Sequence, residues 1–94
     1  MPADNLKLVP GRNAGDIILY ALSTCHWCRQ TKKLLGELGV QYRYVDVDSL
    51  VGEDKDRTRE DVTRWNPACS FPTIVINKKC IVGFDEEKIR KALK

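Results

Sequence analysis

The chain has 94 residues, 43% hydrophobic and 31% charged, which is the make-up of one globular domain and too short for two. Disordered, fibrous and collagen-like classes are excluded, and the longest apolar run, Ile17 to Leu22, is far too short to span a bilayer. The net charge of +3 is spread over Lys32, Lys33, Arg57, Arg64, Lys78, Lys79 and the last helix, so it reads as solvated helix faces and neither nucleic acid nor a membrane is an expected partner.

Residues 1–15 carry Pro, Gly, Asn and Asp among few apolar side chains and read as a flexible N-terminal leader, with one domain over 16–94. Met1 to Asp16 lacks the basic start and apolar stretch of a secretory signal, so the expected location is cytoplasmic. Ile17 to Leu22 is a continuous apolar run of strand length, as when both faces of a strand are covered. Ser23-Thr24 offers capping chemistry, and Cys28, Thr31, Leu34, Leu35 and Leu38 recur at helical spacing until Gly39, predicting a helix over about 25–38. Tyr42, Tyr44, Val45 and Val47 predict a strand over about 41–47, parallel to the first because a helix connects them.

Val51, Thr58, Val62 and Trp65 share one face of a second, charged helix that ends before Asn66-Pro67. Thr73 to Ile76, the turn Asn77-Lys78-Lys79 and Cys80 to Val82 predict an antiparallel hairpin. Asp85 or Glu86 then opens a last helix with Ile89, Ala92 and Leu93 on one face. The order is β-α-β-α-β-β-α.

The chemistry centres on Cys25-His26-Trp27-Cys28. Without a secretory signal, an ordinary disulfide framework lacks its oxidising compartment. A C-x-x-C at a strand-to-helix junction within a βαβ unit reads instead as a redox motif. Free backbone N–H groups and the positive end of the helix stabilise a thiolate at Cys25, the expected nucleophile. One turn later Cys28 lies where it can resolve the mixed disulfide that Cys25 forms. A structural zinc site needs a second close pair, and Cys69 and Cys80 are separated by a strand and a turn, so no metal site is expected. Haem attachment fails because Arg29, not histidine, follows Cys28. His26 either stabilises the thiolate as a cation or is solvated and only tunes the potential. Trp27 is either an exposed contact for protein partners or a partly packed side chain. Cys80 reads as a small buried hydrophobe, and Cys69 as the same or as an auxiliary redox or metal residue.

Tyr20-Ala-Leu-Ser-Thr-Cys25-His-Trp-Cys28, Ser70-Phe71-Pro72-Thr73 and Gly83-Phe84-Asp85-Glu86, in that order, resemble the glutaredoxin family over about residues 16–93. The resemblance implies a thioredoxin fold, a four-stranded mixed sheet flanked by three helices, with Pro72 cis and facing the C-x-x-C. It implies a dithiol-disulfide oxidoreductase acting on protein or small-molecule disulfides, as a monomer without a tightly bound cofactor. Phe71, Pro72, Thr73, Gly83, Phe84 and Asp85 would form the substrate-binding surface, Phe71 pairing with the substrate like a strand. Leu22 replaces the usual cation three residues before the first cysteine, and Val82-Gly83 replaces a double glycine. Both count against glutathione as co-substrate and for a thioredoxin-reductase-type or other disulfide reductase as electron donor, as in the NrdH-type redoxins. The other function the family offers is an iron-sulfur or metal carrier built on Cys25 from two chains, against which Cys28 and Trp27 argue.

Overall fold

The computed structural model describes residues 6–93; residues 1–5 of the expected leader, and Lys94, lie outside the described residues. The elements are β1 (Lys7–Val9), β2 (Ile17–Ala21), α1 (His26–Leu38), β3 (Tyr42–Asp46), a 3-10 turn (Val47–Ser49), α2 (Gly52–Trp65), β4 (Thr73–Ile76), β5 (Lys79–Val82) and α3 (Glu86–Ala92). They build one sheet in the order β1-β3-β2-β4-β5, in which β2 and β3 are parallel and the other pairs antiparallel. This is the mixed sheet and three helices of a thioredoxin fold, with five strands instead of the four expected.

The additional strand comes from the segment read as a leader. Lys7, Leu8 and Val9 pair with Tyr44, Arg43 and Tyr42 of β3. Further on, the Arg12 amide donates to Gly39 O at 2.8 Å and the Arg12 carbonyl accepts from the Gln41 amide at 2.8 Å. Gly11 permits that approach, because a Cβ there would stand 2.7 Å from the Val40 carbonyl carbon. Three residues show no alternation that a sequence pattern could register; their pairing exists only because β3 offers an open edge.

β2 lies in the centre of the sheet and is covered on both faces, which explains its unbroken apolar run. Ile17, Leu19 and Ala21 pack with Leu34 and Leu35 of α1, Ile74 and Ile76 of β4, and Ile89 of α3. Tyr20 points the other way, into a cluster with Val45, Val47, Val75 and Val62 of α2. The period of two thus sends alternate residues to opposite layers. In α2 only Thr58 and Val62 are buried, and Val51, expected on the same face, stands before the helix in extended conformation and is 80% exposed. The helix stops at Trp65, since Asn66 precedes Pro67 and is held in the extended region.

The β4–β5 turn has positive φ at Asn77 (49°) and Lys78 (69°), the signature of a two-residue type I′ hairpin. Asn77 also ties the turn to β2, donating its amide to Asp16 O at 2.8 Å and accepting the Asp16 amide on Oδ1 at 2.9 Å. Asp85 caps α3 as expected, its Oδ1 accepting from the Lys88 amide at 3.1 Å. Among the described residues no helix is long and apolar enough to cross a membrane.

Candidate active site

Three segments meet at one end of the sheet. The sheet register puts Tyr20 opposite Thr73, and Thr73 opposite Val82. That brings together the loop before α1, the turn before β4 and the loop after β5. The Gly83 amide donates to Pro72 O at 2.8 Å and joins the last two. Cys25, Phe71 and Phe84, one from each segment, pack partly buried against the same core.

Cys25 itself is the N-cap of α1. Its backbone is extended (φ −83°, ψ 120°), and its Sγ accepts the Cys28 amide at 3.2 Å. The expected cap, Ser23-Thr24, is displaced from that role by one side chain. Asp48 accepts the Ser23 amide on Oδ1 at 2.8 Å and the Ser23 hydroxyl on Oδ2 at 2.5 Å, so the serine anchors the loop to the 3-10 turn. Those two bonds hold the Asp48 carboxyl below the usual carboxylate range. At the start of α1 a backbone amide therefore donates to a sulfur, that of Cys25.

Cys28, one turn on, is fully buried. Its thiol is pushed up to about 12, first by burial and then by a hydrogen bond to Cys25. The Leu22 amide, donating to Cys28 Sγ at 3.5 Å, and the charge of Lys32 act in the opposite direction. Lys32 lies a turn beyond Cys28 on α1, with Nζ 3.0 Å from Asp46 Oδ1 and 4.4 Å from the centre of the Tyr44 ring. The two motif cysteines therefore occupy unlike environments, one at a helix cap and half-exposed, the other enclosed.

His26 and Trp27 both face outward, Trp27 with 56% of its surface exposed. The indole stacks on Phe84 (centroids 5.7 Å, planes 19° apart) and meets the His26 ring edge-on at 5.0 Å. Trp27 is thus exposed and partly packed at once.

The Phe71-Pro72 bond is cis, as the resemblance implies. Thr73 departs from expectation. It is fully buried, and its hydroxyl donates to Ser70 O at 2.7 Å and accepts from Asn66 Nδ2 at 3.1 Å, so its side chain serves the turn and does not face a substrate. Asp85 likewise spends one carboxylate oxygen on the cap of α3. Asn66 was not singled out from sequence. Its buried amide also donates to the Ser70 carbonyl and hydroxyl at 3.2 and 3.0 Å, and its Oδ1 accepts from the Ala68 amide at 3.1 Å. The only signal for it was the Asn-Pro step after a helix, a common turn opener.

Cys69 and Cys80 are free thiols. Cys69 packs partly buried on the α2 side of the sheet, and Cys80 on β5 is pushed up by burial, the behaviour of small hydrophobes. Among the described residues no three His, Cys, Asp or Glu side chains come together as metal ligands.

The profile of the Glutaredoxin family matches residues 17–81. The chain is 31% identical over 77 residues, 82% of its length and 96% of the other's, to an uncharacterised glutaredoxin-like 8.6 kDa protein of a Clostridium pasteurianum rubredoxin operon. Among solved structures it is similar to a glutaredoxin of Methanosarcina mazei (50% identity, TM-score 0.87, 96% of this chain and 88% of that one). It is also similar to methanoredoxin of Methanosarcina acetivorans (52% identity, TM-score 0.85, 88% of each chain).

Proposed function

This chain belongs to the glutaredoxin family, whose redox-active cysteine pair it carries as Cys25 and Cys28, and from that footing we propose that it is a dithiol-disulfide oxidoreductase of the cytoplasm. The observation that carries the reading is the asymmetry of the pair: Cys25 caps a helix at the surface, and Cys28 is a buried thiol one turn behind it. The Cys25 thiolate attacks one sulfur of a substrate disulfide, and the other sulfur leaves as a thiolate that takes up a proton. Cys28 then loses its proton and attacks Cys25 Sγ, which expels the second substrate thiolate and closes the Cys25–Cys28 disulfide. Two electrons from an external reductant reopen it. Phe71 and Pro72 offer backbone to the substrate, and Trp27 with Phe84 and Gly83 forms the adjoining wall.

The reductant we assign is a flavoprotein-dithiol reductase of the thioredoxin-reductase type. Leu22 offers no charge to a glutathione carboxylate, and one missing charge-assisted contact costs about 1.5–3 kcal/mol, roughly ten- to hundredfold in affinity. Parallel turnover assays test this, one coupled to glutathione and its reductase and the other to a thioredoxin-reductase-type enzyme. Faster turnover with the second is expected; faster turnover with glutathione overturns the assignment of the reductant. Absence of disulfide reduction in both series, with a brown dimeric protein on anaerobic purification, overturns the oxidoreductase reading in favour of a cluster carrier.

A further inference from the structure

We propose that Lys32 is a positioning residue for the second half of the reaction: its ammonium, tethered by Asp46, favours the thiolate that Cys28 must become to close the disulfide. The proposal rests on the oxidoreductase reading above and deepens it, since the enclosed Cys28 has to lose a proton and is not itself at a helix cap.

Cys28 and Lys32 are four residues apart in α1, so they share one face of the helix, with Cβ atoms about 5–6 Å apart. Tyr44 of β3 packs with the core layer under α1, and the period of two puts Asp46 on that same face of the strand. Asp46 stands in register beside Ala21 of β2, and the next residue, Leu22, donates its amide to Cys28 Sγ at 3.5 Å. Lys32 Nζ reaches Asp46 Oδ1 at 3.0 Å and lies 4.4 Å from the centre of the Tyr44 ring. The ammonium is thus pinned at the strand ends that also hold the Cys28 sulfur. The two side chains of the pair are only 26% and 19% exposed, so solvent and salt screen this charge less than they would a free surface lysine.

Of the pair, the cation is the member carried on the helix face of Cys28, and its charge lowers the Cys28 thiol against the effect of burial. The other titratable groups of this layer are Cys25 at the cap and Tyr42 and Tyr44 on β3, while β4 and α3 present Ile74, Ile76 and Ile89. In closure, Cys28 gives its proton to solvent and its thiolate attacks Cys25 Sγ; the bond from Cys25 to the substrate sulfur breaks, and the substrate thiolate leaves and is protonated. In recharging, a reductase thiolate attacks Cys25 Sγ and Cys28 departs as a thiolate with the electron pair of the broken bond. One cation therefore assists both closure and reopening, and the first attack, by Cys25, does not depend on it.

The test separates the two steps by acid quenching and mass measurement after the reduced protein is mixed with bis(2-hydroxyethyl) disulfide. Formation of the mixed disulfide is followed in the Cys28→Ser background, and its conversion to the Cys25–Cys28 disulfide in the full chain. Lys32→Gln removes the charge and can still donate to Asp46; Lys32→Met, which also gives up the tether, is the second charge-free variant, and Lys32→Arg restores the charge. In the charge-free variants the pH profile of closure should move to higher pH by about one unit or more. Closure at pH 7 should slow about threefold or more, because a thiol raised by one unit is tenfold less ionised but about threefold more nucleophilic once ionised. Mixed-disulfide formation should stay within about twofold, which also shows that the variants fold, and Lys32→Arg should return the closure profile to that of the parent. An unmoved closure profile in Lys32→Gln or Lys32→Met, equal slowing of both steps, or no recovery in Lys32→Arg overturns the proposal and leaves the oxidoreductase reading standing. Failure of the parent protein to form any mixed disulfide overturns both.

Discussion

Asn66 Nδ2 reaches Thr73 Oγ1 at 3.1 Å, so the residue that ends α2 holds the first residue of β4 across the cis-proline turn. The same amide carries Ser70, and its carbonyl oxygen carries Ala68. One buried side chain therefore fixes the backbone that would present Phe71 and Pro72 to a substrate. Removing it takes one donor from the buried Thr73 hydroxyl, which keeps its own bond to Ser70 O, and leaves the Ala68 amide without its acceptor, at roughly 1–3 kcal/mol in all. Asn66→Ala is expected to lower the melting temperature by about 4 °C or more in a domain of this size. Its KM for disulfides should rise more than kcat falls. An unchanged urea midpoint with unchanged KM would refute this account of the turn.

Cys25→Ser is expected to abolish disulfide reduction, because no other exposed thiol caps a helix. Cys28→Ser should still attack but retain its substrate as a mixed disulfide, visible as a mass increment that a reducing agent removes. Mass mapping of the oxidised parent protein should join Cys25 to Cys28 and leave Cys69 and Cys80 free. A dominant link through Cys69 would require a different mechanism.

The raised Cys28 thiol has a consequence for alkaline stability. Below its ordinary value of 9.0 the thiol is protonated in both folded and unfolded chains, and between 9.0 and about 12 only the folded chain keeps the proton. The unfolded state then binds fewer protons, so stability falls as pH rises through that window. Tyr20, raised from 10.0 to about 12, acts in the same direction. Urea midpoints of the reduced protein should drop progressively above about pH 9, and more gently in Cys28→Ala. A midpoint that is flat to pH 11, or an equal slope in the variant, contradicts the assignment.

Trp27 stacks on Phe84 with most of its indole open, so its contribution belongs to partners large enough to cover it. Trp27→Ala should reduce kcat/KM for a protein disulfide by about tenfold, the cost of a modest interface hot spot. For a small aliphatic disulfide the change should stay within about threefold. Equal losses for both would show that the indole supports the cysteines and not the partner.

The sequence by itself determined the order of the main elements and the place of the reactive pair, because those rest on local patterns. Six apolar residues in a row are the pattern of a strand covered on both faces, and the C-x-x-C after it falls at the cap and first turn of the following helix. The turn, read as Asn77-Lys78-Lys79 and found one residue shorter because Lys79 belongs to β5, and the opening of α3 at Asp85 or Glu86 were legible for the same reason, since each is built from neighbours in the chain. What only the tertiary structure decided are relations between distant segments. Lys7–Val9 becomes a strand because β3 has an open edge to receive it, and nothing in three residues announces that. Ser23, read from sequence as capping chemistry, instead donates its amide and hydroxyl to Asp48, 25 positions away, and Cys25 stands at the cap of α1. Thr73 turns inward and Asn66 becomes central because the end of α2 arrives beside the start of β4. A hydrogen-bonding side chain goes to whichever partner the fold brings nearest, and that partner is set by packing at long range.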